Sequence, residues 1–206
     1  MNTMSALVVV DVQKGFSSLC PDELPVPDAL DTVAPINELL DLPWFHIAAT
    51  QDWHPADHCS FKGQEKDIYP PHCIGNTPGA DFLPGLNTHK FHSIWRKGYD
   101  KKKEAYSVVS QHPFLRDAFV AANVENVFVC GIATNICVLQ TAMGFKVIPD
   151  PRKKGPSPKT FNVYIIEDAS AGIDIPNIAD QVKDKGYGER SGIRYTTVKK
   201  VRELVK

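Results

Sequence analysis

The sequence predicts an α/β fold, a mainly parallel sheet with helices on both faces. Two observations predict it. Short β-branched or apolar runs recur along the chain, and segments with helical periodicity separate them. The first run, Ala6–Val10, is apolar throughout, which fits a strand buried on both faces.

The elements follow in order. Ala6–Val10 is the first strand. Residues 29–42 read as a helix, with Val33, Ile36, Leu39 and Leu40 on one stripe. Phe45–Thr50 is the second strand. Residues 53–90 are rich in Pro, Gly, His and Asp, a long structured loop of the kind that usually carries function. Phe91–Arg96 is the third strand, 113–122 a short helix and Asn126–Cys130 the fourth strand. A helix follows from about Asn135 to Phe145. Asn162–Glu167 is the fifth strand, Arg194–Thr197 the sixth and Thr197–Val205 the last helix. Residues 149–160, with four prolines and four basic residues, read as an exposed loop. No internal repeat or boundary interrupts the pattern, so residues 1–206 are expected to form one domain.

Composition narrows the function classes. The 206 residues carry a net charge of −1, which leaves no basic field for nucleic acid or an anionic membrane. No run approaches the roughly 20 apolar residues of a membrane span. Met1 leads straight into the first strand with no secretory pattern, so a cytoplasmic protein is expected. Five cysteines, Cys20, Cys59, Cys73, Cys130 and Cys137, are scattered with no C-x-x-C pair. Reduced thiols fit this better than a disulfide framework or a four-cysteine zinc site.

Ligands of open parallel sheets bind beyond the carboxyl ends of the strands. Asp11 follows the first strand, Gln51-Asp52-Trp53-His54 the second, Arg96-Lys97 the third, and Gly131 the fourth, six residues before Cys137. Alone, Cys137 would read as a packing thiol, as Cys130 does, and Lys97 as a surface lysine. Together they suggest a site. Cys137 falls just inside a helix start that Thr134 or Asn135 could cap, where the helix dipole favours a thiolate. Lys97 would add to that effect, and Asp11 could pair with Lys97 and shuttle a proton.

Asp52 and His54 lie two apart and share a face of an extended segment. His72 could reach them across the long loop. One carboxylate and two imidazoles suit zinc, iron or manganese. His58 and Glu65 are further candidates that spacing does not rank. His46, His89, His92 and His112 have no matching neighbours and read as structural or exposed.

With these residues assembled, the chain resembles the nicotinamidase (pyrazinamidase) branch of the isochorismatase-like hydrolases. The matching segments are VVVDVQKGF at 8–16, ATQDWHPADHCSF at 49–61, YPPHCIGNTPGADF at 69–82, IWRKGYD at 94–100, AYS at 105–107, GIATNICV at 131–138 and VYIIEDASAG at 163–172. The resemblance implies a three-layer sandwich with a six-stranded, mainly parallel sheet, and deamidation of nicotinamide to nicotinate and ammonia. It implies Asp11, Lys97 and Cys137 as the catalytic triad, and Asp52, His54 and His72 as ligands of one divalent metal ion. Zinc is the first choice, with iron or manganese as alternatives. It further implies the N–H groups of Ala133 and Cys137 as the oxyanion hole, a cis Ile132–Ala133 peptide, and Phe16, Tyr69 and Tyr106 around the substrate ring. Glu65, His58 or water would complete the metal shell. Relatives of this kind commonly form homo-oligomers. Alternatives are hydrolysis of another small amide or carbamoyl compound, or a metal-binding or redox-sensing module without catalysis.

Overall fold

A computed structural model describes residues 4–146, 160–173 and 191–205. Six parallel strands form one sheet: β1 (Ser5–Val10), β2 (His46–Asp52), β3 (Ser93–Lys97), β4 (Asn126–Ile132), β5 (Asn162–Ala171) and β6 (Arg194–Thr196). Their spatial order is β3-β2-β1-β4-β5-β6. The order reverses between β1 and β4, the switch point where a crevice opens beyond the strand ends.

Among the described residues the helices are α1 (Val33–Leu40), α2 (Val108–Gln111), α3 (Pro113–Ala121), α4 (Leu139–Phe145) and α5 (Val198–Leu204). α1 packs with α5, whereas α2 packs with α3 and α4. Every residue of β1 is buried, as a strand covered on both faces must be. Thr197 caps α5 through its side chain, and Ser107 does the same for α2. α2 is one turn long and falls below the length at which periodicity is visible, which is why the sequence pattern did not predict it. The predicted helix at 29–42 opens with a tight turn, Ala29–Thr32, before α1. The strands run on past their predicted ends: Asp52, Lys97 and Ile132 are terminal strand residues, and β5 continues to Ala171.

Register places chemistry side by side. Asp52 of β2 pairs with Lys97 of β3, and Val10 of β1 with Gly131 of β4. A Cβ on Gly131 would lie 2.1 Å from the Val10 carbonyl oxygen, and its φ is +116°, so this position requires glycine. Most of the predicted loop at 149–160 lies outside the described residues. Among the described residues, no helix is long and apolar enough to cross a membrane.

The centre of the sheet is anchored by aromatic packing. Phe128 is fully buried; its ring stacks on Tyr164 at 4.7 Å between centroids and meets Trp44 at 5.3 Å. Phe128→Ala is expected to cost about 3–5 kcal/mol, the usual range for emptying a buried aromatic site. Urea unfolding reads this directly, and a loss under about 1 kcal/mol would contradict the packing role.

Candidate active site

Lys97 is fully buried. Its ammonium lies 2.8 Å from Asp11 Oδ2, 2.5 Å from Asp52 Oδ1 and 3.6 Å from Cys137 Sγ. The sheet thus brings the predicted acid, base and thiol together. Burial opposes the charge on Lys97, but the two carboxylates outweigh it and raise the lysine well above its usual range. Burial also opposes ionisation of Asp52; Lys97 and the neighbouring imidazoles outweigh it and hold Asp52 well below its usual range.

Asp11 differs. Burial and the Asp52 charge push it up to about 6, against the pull of Lys97 and a 2.6 Å hydrogen bond from the Thr50 hydroxyl to Oδ1. Its Oδ2 faces the Lys97 ammonium at 2.8 Å. One Asp11 oxygen, one Asp52 oxygen and Cys137 Sγ lie within 4.8 Å of one another. A raised carboxylate beside a thiol suits a group that takes and returns a proton. Asp11 also sits at φ +50°, a left-handed conformation uncommon outside glycine, of the kind that clusters at functional sites.

The thiol departs from expectation. Cys137 lies in a wide helical turn, Thr134–Val138, that precedes α4. No side chain caps this turn. Asn135 turns instead to Ile173, donating to its carbonyl at 2.7 Å and accepting from its N–H at 3.1 Å. Burial and the two carboxylates push the Cys137 thiol well up, against the pull of Lys97. Burial thus works against the thiolate that a helix start favours, and Lys97 works for it. The Ile132–Ala133 peptide is cis, as the resemblance implies. Cys130 is fully buried, with its thiol raised by burial alone, and fits inert packing.

Asp52, His54 and His72 also converge, their ligand atoms within 4.8 Å of one another. His54 Nδ1 donates to the Gly98 carbonyl at 2.9 Å, and His72 Nδ1 to the Pro70 carbonyl at 2.8 Å. A carbonyl only accepts, so each Nδ1 carries the proton and each Nε2 presents a lone pair. Burial lowers His72 to about 4, keeping it neutral. A Cβ on Gly98 would lie 2.4 Å from the His54 ring, so glycine keeps this approach open. Two oriented imidazoles and one carboxylate fit a divalent metal.

The further candidates separate. Glu65 is exposed, away from this set. His58 is buried against His54, with ring centroids 4.3 Å apart. Its Nδ1 meets the Ser60 hydroxyl at 2.7 Å and its Nε2 the Lys103 carbonyl at 3.1 Å, so both nitrogens are engaged.

A cleft joins the two sets. It is partly open to solvent and lined mostly by apolar and aromatic side chains, with a few polar groups among them. Phe16, Tyr69 and Tyr106 line it, with Cys137 and the metal-ligating set on the same wall system. The Tyr69 and Tyr106 hydroxyls lie 3.3 Å apart. Sequence reasoning missed Ser60, Glu104 and Ile173, which also line it. It also missed Gln13, whose amide accepts from the Asp52 N–H at 2.8 Å and donates to the Asp52 carbonyl at 2.9 Å. The polar Gln13 just beyond an apolar strand was the available signal.

Comparisons place this geometry among known proteins. The Isochorismatase domain family matches residues 5–147. A nicotinamidase/pyrazinamidase of Mycobacterium tuberculosis is 36% identical over 146 residues, covering 68% of this chain and 77% of that protein. A protein from L. infantum, solved in complex with nicotinate, superposes with a TM-score of 0.79 at 29% identity, covering 97% of this chain and 95% of the other. The pyrazinamidase of Pyrococcus horikoshii, solved in complex with zinc, gives a TM-score of 0.70 at 31% identity, covering 94% and 98%.

Removing the buried ammonium alone strands two buried carboxylates. Lys97→Met is therefore expected to destabilise the fold by about 3–5 kcal/mol, as broken buried ion pairs do. Chemical unfolding of the variant against wild type measures it; unchanged stability would show that the charges are solvated rather than buried.

Proposed function

The chain belongs to the isochorismatase family, and from that premise we propose that it deamidates nicotinamide to nicotinate and ammonia through a thioester on Cys137. The observation that carries this reading is the Cys137 thiol beside the buried Lys97–Asp11 pair, on a cleft whose wall also holds Asp52, His54 and His72. Relatives that act as nicotinamidases, and a structural neighbour holding nicotinate, support the substrate.

The residues divide the work. Phe16, Tyr69 and Tyr106 hold the pyridine ring within the cleft. Asp11 takes the thiol proton, and Lys97 offsets the charge that moves onto sulfur. The thiolate attacks the amide carbon. The N–H groups of Ala133 and Cys137 receive the developing oxyanion. Asp11 passes its proton to the leaving nitrogen, the C–N bond breaks and ammonia departs. Asp11 then deprotonates a water that attacks the thioester; the C–S bond breaks, sulfur recovers the proton, and nicotinate is released.

Asp52, His54 and His72 would hold the metal, for which zinc is our assignment. It is supported by the donor set and by the zinc-bound neighbour. Such an ion supplies an electron-pair acceptor for the ring nitrogen, which orients the carboxamide towards sulfur. The chain works in a reducing, cytoplasmic setting, where its five cysteines stay free.

Two variants test the assignment. Cys137→Ala is expected to lower ammonia release from nicotinamide by at least about three orders of magnitude, with folding and metal content unchanged; near wild-type turnover would refute the nucleophile. His54→Ala is expected to strip metal from dialysed protein and raise KM. Retained metal and unchanged kinetics would refute the metal set.

A further inference from the structure

Glu23 lies outside every motif and beyond the catalytic set, in the segment that leads to the cleft residues Leu24 and Val26. Its carboxylate is half-buried, and its Oε2 accepts the Cys73 N–H at 2.8 Å. Cys73 immediately follows His72 and holds φ +46°, a left-handed conformation that needs local support. The same carboxylate fills the space beside two glycines. A Cβ on Gly15 would lie 2.2 Å from Glu23 Oε2, and a Cβ on Gly79 2.0 Å from Oε1. Glu23 thus sits where three segments meet: the turn carrying Phe16, its own segment and the loop carrying His72. The Leu24 N–H to Gly15 carbonyl bond, at 3.1 Å, ties the first two together. The third is tied in through the Cys73 N–H.

We propose that Glu23 is a positioning residue for His72, its carboxylate holding the strained Cys73 backbone so that the His72 imidazole is preset for metal. The side chain touches neither substrate nor metal. A backbone N–H that donates to a carboxylate makes a stronger hydrogen bond than one that donates to a neutral acceptor, which suits a backbone that must resist relaxing. The link to metal rests on Asp52, His54 and His72 as the ligand set. Loss of this clamp lets the His72 loop relax and weakens metal binding, as loss of groups behind ligands typically does by 10–100-fold.

The measurements are zinc affinity, by competition with a chromogenic chelator, and exchange of the Cys73 amide proton. Glu23→Ala is expected to weaken zinc binding at least about tenfold and to speed Cys73 exchange. Glu23→Gln keeps an accepting oxygen and stays near wild type.

Wild-type zinc affinity and Cys73 exchange in Glu23→Ala would overturn the proposal. His54→Ala separates the two ideas: if it too keeps full zinc affinity, the ligand set itself is wrong, whereas a loss there with none in Glu23→Ala removes only the clamp. Should Glu23→Ala fail to fold, the exchange rate of Cys73 in Glu23→Gln decides, because exchange at the unprotected rate would show that the side chain does not hold this amide.

Discussion

One buried ammonium organises the site. Lys97 has no exposed surface, and its charge is tolerable only because Asp11 and Asp52 meet it at 2.8 and 2.5 Å. Neither carboxylate could be buried without it. The parallel register explains the meeting: the last residues of β2 and β3 pair as Asp52 with Lys97, and Asp11 follows β1 next door. The sulfur joins from the far side of the switch point, carried by the turn after β4. Charges that would unfold the protein singly become a reaction centre when the strand ends converge.

Asp52 makes this centre and the metal-ligating set one unit. Its Oδ1 faces Lys97, while its Oδ2 lies 3.5 Å from His54 Nε2. Gln13 grips the Asp52 backbone from both sides, so a group two residues beyond Asp11 sets the carboxylate that both halves share. Burial and the two carboxylates oppose a charge on the sulfur, and Lys97 favours it.

Much of this was legible in the sequence. Apolar runs located the strands, and the residues just past them located Asp11, Asp52, His54, Lys97 and Cys137, because strand ends converge in a parallel sheet. What escaped were contacts between segments distant along the chain. Nothing local tells that Asn135 reaches Ile173 rather than capping its own turn, or that Glu23 reaches Cys73. The choice between Glu65 and His58 was equally hidden, since it depends on how the 53–90 loop folds back: one ends exposed, the other with both nitrogens spent on Ser60 and Lys103. The short helix α2 escaped for want of length. Periodicity and spacing report elements and their ends, whereas loop-to-loop hydrogen bonds depend on the closed fold.

If the convergence of strands serves covalent catalysis at Cys137, different substrates sharing the nicotinoyl group must pass through one common thioester. Hydroxylamine intercepts such a thioester in competition with water. At a fixed hydroxylamine concentration, the ratio of nicotinohydroxamate to nicotinate should be the same whether the enzyme starts from nicotinamide or from methyl nicotinate. A ratio that changes with the leaving group would mean that no common acyl-enzyme forms, and that Cys137 is not the nucleophile.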